Sequence, residues 1–325
     1  MIRRALFPVL ACFFLAAPSA LRAEDQFFDS NGVKIHYIVE GKGEPVVLIH
    51  GFTADIDKNW RTGFAVGPYQ NGPRTIEALS KSYRVIALDN RGHGKSDKPH
   101  DVKQYGVEMA EDVVRLLDHL KIKQAHVVGY SMGAIITAKL LVTHPDRLLS
   151  ATLGGHSGLR DDSRAQFYEE LATSLEQGKG FGPLITVLTP AGRPKPTSEQ
   201  VAVVNAALTK TNDCKALAAV VRGFHELVIA PEKLEKNQVP TLALIGELDR
   251  LKKGVDALQG HMANLKVVVI PGADHMTAVS SPEFLKGLGE FLAQHRSTAK
   301  VRKSRITLEQ NLLQYPESRR MVNNF

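Results

Sequence analysis

Five residues, Gly129-Tyr130-Ser131-Met132-Gly133, constrain the fold of this chain more than any others. An apolar run with strand character, Gln124–Val128, leads into them, and a helical pattern from Met132 to His144 leads out. A strand that becomes a helix with no loop between them drives the turning residue, Ser131, to a positive φ, a strained region for any residue with a side chain. The glycines two positions before and after it carry no Cβ, so strand and helix can close on the turn from both sides. The result is a hydroxyl held clear of the backbone above a helix N-terminus. G-x-S-x-G is short enough to recur by chance, so its meaning depends on what the chain places around it.

The flanking sequence alternates. Phe27–Val39 reads as a hairpin about Ser30-Asn31-Gly32. Continuous apolar runs at Pro45–Ile49 and Tyr83–Leu88 have the character of strands buried on both faces, and Leu148–Leu153, Val239–Gly246 and Leu265–Ile270 read as further strands. Helical patterns lie between or after them, at Thr75–Lys81, Gly106–Leu120, Leu251–Met262 and Pro282–His295. The last is opened by Ser281 as N-cap with proline in first position. This interleaving predicts an α/β fold, a doubly wound, mostly parallel sheet with right-handed crossovers.

From 154 to 231 the alternation stops. Arg164–Glu176, Glu199–Lys210 and Cys214–Leu227 read as helices, interrupted at Gly178–Pro183 and Pro190–Pro196, and no strand-like run appears. The expected plan is a core of residues 24–153 and 232–295, with a small helical cap, 154–231, inserted after the sixth strand. Thr53–Arg74, rich in Gly, Pro and Asn, reads as a long irregular loop carrying Trp60.

The two ends differ from the body. Arg3 and Arg4 precede an apolar run, Ala5–Ala17, followed by small residues and a cleavage-like Leu21-Arg22-Ala23. This predicts a secretory signal peptide over 1–23 and a secreted or periplasmic location. The run is shorter than the roughly 20 residues that span a bilayer, which disfavours a permanent anchor. A lipobox reading at Cys12 is disfavoured because apolar sequence continues past it. Residues 296–325 form a basic tail, expected to be flexible. These cations and Arg3, Arg4 and Arg22 account for the formal charge of +7. The near-neutral body excludes a basic face for nucleic acid. Only Cys214 lies beyond the signal segment, so no internal disulfide is available, and a buried spectator thiol is expected there.

In an open α/β sheet, function gathers at the carboxyl ends of the strands. Those ends carry His50-Gly51-Phe52, then Asp89-Asn90-Arg91-Gly92-His93-Gly94-Lys95-Ser96, then Ser131, then Gly246-Glu247-Leu248-Asp249 and Gly272-Ala273-Asp274-His275. From about Phe27 to His295 the chain resembles the α/β-hydrolase superfamily, serine hydrolases with the order Ser, Asp, His. A serine hydroxyl attacks a carbonyl only if a base takes its proton, a role open to His275. Asp249 would hold the imidazole tautomer and stabilise the imidazolium. Glu247, Asp274, Asp161 and Asp162 are other candidates for the acid. The oxyanion needs donors already in place. Met132 N–H, at the helix N-terminus, is one, and the resemblance implies that Phe52 N–H is the other. Trp60 and His156 are candidates to line the substrate pocket. His50, His93, Asp89 and Arg91 read as bracing for the loops.

No H-E-x-x-H, paired Cys/His spacing or G-x-G-x-x-G follows a strand, so neither a metal nor a cofactor is expected. The reading is an exported serine hydrolase taking a small-molecule ester or related carbonyl substrate through an acyl-enzyme. No nucleic-acid partner and no stable membrane span after signal cleavage are expected, and oligomeric state stays open. A cofactor-free perhydrolase resembling haloperoxidases, a C–C bond hydrolase and an acyltransferase share the triad. A non-catalytic ligand-binding member of the fold is the rival of another class. Epoxide and haloalkane hydrolases would need an aspartate where Ser131 stands.

Overall fold

The computed structural model describes residues 23–62 and 74–297. Residues 1–22 of the expected signal segment, the tail from 298 onward and residues 63–73 of the long loop lie outside them. Among the described residues, eight strands form one sheet. β1 (Gln26–Ser30) and β2 (Val33–Glu40) make the expected hairpin, with Asn31 and Gly32 at φ 56° and 81°. Positive φ at both central residues is what a tight turn matching the strand twist requires. β2 also runs antiparallel to β4 (Tyr83–Leu88). β3 (Glu44–Ile49), β5 (Ala125–Tyr130), β6 (Leu148–Gly154), β7 (Thr241–Gly246) and β8 (Leu265–Ile270) extend the sheet in parallel from β4. The doubly wound, mostly parallel sheet is therefore present.

Every residue of β5 is buried, as a central strand covered on both faces must be. One face packs under α2 (Val107–His119) and α3 (Met132–Thr143), the other under α1 (Thr75–Ser80) and α9 (Pro282–Gln294). α3 is apolar around most of its circumference, with Met132 through Ala138 all buried, the pattern of a helix enclosed in the core. Full burial of each large apolar side chain here contributes about 1.5–3 kcal/mol relative to exposure.

Between β6 and β7 the chain forms α4 (Ala165–Glu176), α5 (Gly182–Val187), α6 (Ser198–Thr211) and α7 (Cys214–Leu227). α5 falls where a break was expected, because Gly182-Pro183 reads as an interruption although Pro183 sits in the first turn of a helix. The helical region after β7 is shorter than expected, with α8 spanning only Lys252–Ala257 before a 3-10 turn. Cys214, expected to be buried, opens α7 half-buried, and desolvation raises its thiol pKa. Among the described residues, no helix is long and apolar enough to cross a membrane, and no cluster of His, Cys, Asp and Glu is placed to hold a metal.

Candidate active site

Ser131 sits at the turn from β5 into α3 with φ 54° and ψ −114°. The closeness of the packing explains both glycines. A Cβ on Gly129 would lie 2.0 Å from the Gly133 carbonyl oxygen, and one on Gly133 would lie 2.1 Å from that of Ile49. Ser131 N–H donates to the Gly154 carbonyl at 2.7 Å, which ties the turn to β6. Met132 is the first residue of α3, so its N–H has no acceptor within the helix.

The loops after β7 and β8 bring Asp249 and His275 to the same end of the sheet. His275 Nδ1 lies 2.7 Å from Asp249 Oδ2, and its Nε2 lies 2.9 Å from Ser131 Oγ. A carboxylate only accepts, so Nδ1 carries the proton and Nε2 is left to accept from the serine hydroxyl. Asp249 is held in turn by Leu251 N–H on Oδ1 at 2.9 Å. The other carboxylates are engaged elsewhere. Asp274 caps its own loop through Met276 and Thr277, Glu247 accepts from Gly272 N–H, and Asp161 and Asp162 pair with Arg164 and Arg160.

His50, His93, Asp89 and Arg91 brace the neighbouring loops. His50 Nδ1 donates to the Gly51 carbonyl and Nε2 accepts from Asn90 N–H. Asp89 accepts from Ile56 N–H, Lys95 N–H and His36. Burial works against its charge, yet the His36 bond and these amides pull its pKa down to about 2. Arg91, wholly buried, forks onto both oxygens of Asp112 at 2.7 and 2.6 Å.

The serine opens into a cavity of about 80 Å³ walled by Phe52, Ile135, Phe167, Leu184 and Leu188. A groove of about 820 Å³ adjoins it, the two sharing His156, Arg164, Tyr168, Phe224 and Leu251. His156 lines both cavities. Its Nδ1 accepts from Gly158 N–H at 2.9 Å, and burial, helped by the charge of Arg164, lowers its pKa to about 3. Trp60 is a correction. It is 1% exposed and packs with Ile38, Val46 and Leu48 in the core, not in the pocket. The apolar bulk of an indole is satisfied there, and its neighbour Asn59 reaches the pocket instead. Neither Asn59 nor the Tyr130 hydroxyl, which donates to the His275 carbonyl at 2.5 Å, carried a signal in the sequence.

Residues 44–172 match the family model of the α/β hydrolase fold. An enol-lactonase from Burkholderia xenovorans LB400 superposes with a TM-score of 0.66 at 22% identity, over 82% of this chain and 100% of that one. The chain has the α/β-hydrolase fold. Among its α/β-hydrolase relatives is a 2-hydroxy-6-oxo-6-(2'-aminophenyl)hexa-2,4-dienoic acid hydrolase of Metapseudomonas resinovorans. It is 28% identical over 294 residues, 83% of this chain and 91% of that protein. The chain also matches the dihydrolipoyllysine-residue acetyltransferase component of the acetoin cleaving system of Cupriavidus necator. That match is 35% identical over 164 residues, 50% of this chain. That match spans 40% of that protein, and a separate match at 28% identity spans 64% of a protein of the same name from Pseudomonas putida.

Proposed function

We propose that this α/β hydrolase is a serine hydrolase that cleaves a small-molecule ester through an acyl-enzyme. The observation that carries the proposal is the unbroken chain of contacts from Asp249 through His275 to Ser131, ending on a hydroxyl at a helix N-terminus. Ser131 Oγ attacks the carbonyl while His275 Nε2 takes its proton. Asp249 stabilises the imidazolium, and Met132 N–H with Phe52 N–H receives the oxyanion. His275 then protonates the leaving alcohol, and water repeats the cycle on the acyl-enzyme. The cavities fit a substrate with one small apolar half at the serine and a larger, more polar half in the groove. A soluble enzyme exported by the segment 1–23 completes the reading.

The test is turnover of p-nitrophenyl acetate together with fluorophosphonate labelling, on wild type and Ser131→Ala. We expect labelling and a burst in wild type and neither in the variant. An Ser131→Ala protein with full esterase activity would sink the proposal, and a wild type with neither label nor turnover would favour a binding protein on the same fold.

A second reading, hydrolysis of a carbon–carbon bond beside a ketone, is favoured by the dienoic acid hydrolase relative, which the chain covers over most of its length. Turnover of 2-hydroxy-6-oxo-6-phenylhexa-2,4-dienoate faster than of any aryl ester would select it. The epoxide hydrolase relatives, matched over 36% of this chain, do not favour epoxide chemistry, because Ser131 stands at the elbow.

A further inference from the structure

Asn59 lies in a π-helical turn, Asp57–Arg61, of the kind often found at functional sites. The turn is pinned from below, since Ile56 N–H donates to Asp89 Oδ1 and Asn59 N–H to the Asp55 carbonyl. Its side chain is 3% exposed and forms part of the pocket wall with Ser131 and His275. Gly51 N–H donates to Asn59 Oδ1 at 2.9 Å, which settles which way the amide faces. Gly51 also adjoins the nucleophile, because a Cβ placed on it would lie 3.2 Å from Ser131 Cβ and 3.6 Å from Asn59 Oδ1.

The other end of the amide is unsatisfied. Asn59 Nδ2 is buried with no hydrogen-bond partner. Leaving a buried donor unpaired costs about 1–3 kcal/mol, a cost that folding alone gives no reason to bear. A fixed, buried and unpaired donor beside a nucleophile is the form that preorganised charge stabilisation takes.

We propose that Asn59 Nδ2–H is a side-chain donor to the oxygen of the scissile carbonyl, acting with the backbone amides of Phe52 and Met132. The residue works through both ends of its amide. Oδ1 holds the Gly51 turn in place, and Nδ2 meets the oxygen as it gains charge under attack by Ser131. The inference rests on the hydrolase reading above.

Asn59→Asp separates the two ends, since it keeps an acceptor for Gly51 N–H and removes the donor. We expect kcat for p-nitrophenyl acetate to fall about 100-fold, the usual size for one oxyanion donor, with KM little changed. Retention of kcat within about twofold overturns the proposal and leaves Asn59 as a brace. A measurement on the unmutated enzyme guards against a variant that fails to fold. When Ser131 forms a hemiketal with a trifluoromethyl ketone, the side-chain amide protons of Asn59 are expected to move downfield in the ¹⁵N-correlated spectrum. An adduct without that movement removes this inference alone. Failure to form any adduct removes the hydrolase reading, and this inference with it.

Discussion

The phenol of Tyr130 donates to the backbone carbonyl of His275 at 2.5 Å, so the residue before the nucleophile holds the loop that carries the base. Tyr130 is buried, and desolvation raises its pKa well above the usual value, so the hydroxyl stays protonated and remains a donor. Its ring packs 5.6 Å from the imidazole and 5.8 Å from Phe284, which fixes it from two sides. Tyr130→Phe keeps the ring and loses the bond. The expected result is a loss of about 1–2 kcal/mol in urea unfolding and a several-fold fall in kcat at unchanged KM. Equal kcat in the variant would show that the His275 loop holds its position without Tyr130.

Asp249→Asn tests the orienting role. The amide keeps the shape of the carboxylate but offers a donor where His275 Nδ1–H needs an acceptor, so the imidazole turns to the wrong tautomer. A fall of about 10⁴-fold in kcat is expected from the general behaviour of such triads. Asp161→Asn, on the exposed loop after β6, should leave kcat near the wild-type value. If the two variants changed places, the acid would come from that loop instead.

The order of chemistry along the chain made much of this site legible. Ser131, Asp249 and His275 each follow an apolar run, and a parallel sheet brings successive strand ends to one side. Side-chain identity inside the long loop was not legible in that way. A lone tryptophan in a Gly- and Pro-rich stretch looks like a ligand contact, yet the surface gained by burying Trp60 placed it in the core. Asn59, one residue earlier, gained the pocket through a π turn that has no sequence signature. α5 was hidden for the opposite reason, since Gly182-Pro183 serves equally as a break and as a helix start.

The cavity at Ser131, about 80 Å³, is small beside the adjoining groove of about 820 Å³. Among p-nitrophenyl esters, acetate and propionate should therefore exceed octanoate in kcat/KM. Leu184 and Leu188, at α5, form its outer wall, and Leu188→Ala should move the optimum toward longer chains by removing three side-chain carbons. A preference for octanoate in wild type would mean that the acyl group lies in the groove and the leaving group in the small cavity.

Acid should destabilise the fold, beginning near pH 6.5. Burial lowers the pKa of both His93 and His156 to about 3, the first helped by the charge of His50 and the second by that of Arg164. Above about pH 6.5, the unperturbed value, both rings are neutral whether the chain is folded or not, and the fold has its full stability. As pH falls below that value the unfolded chain takes up protons that the folded chain refuses, so stability declines until about pH 3. Asp89 adds to the same trend at the bottom of the range. Its folded pKa of about 2 lies below the ordinary 3.8, so the stability it contributes is present above 3.8 and is lost as pH falls from there to 2. Each histidine can account for a few kcal/mol at most over its window. The urea midpoint should therefore be level from pH 7 to 8 and fall steadily between pH 6 and 4. His156→Gln should flatten part of that slope, because the variant removes one of the rings that burial keeps neutral in the fold. A midpoint that stayed level down to pH 4 would mean that one or both rings gain their protons without unfolding.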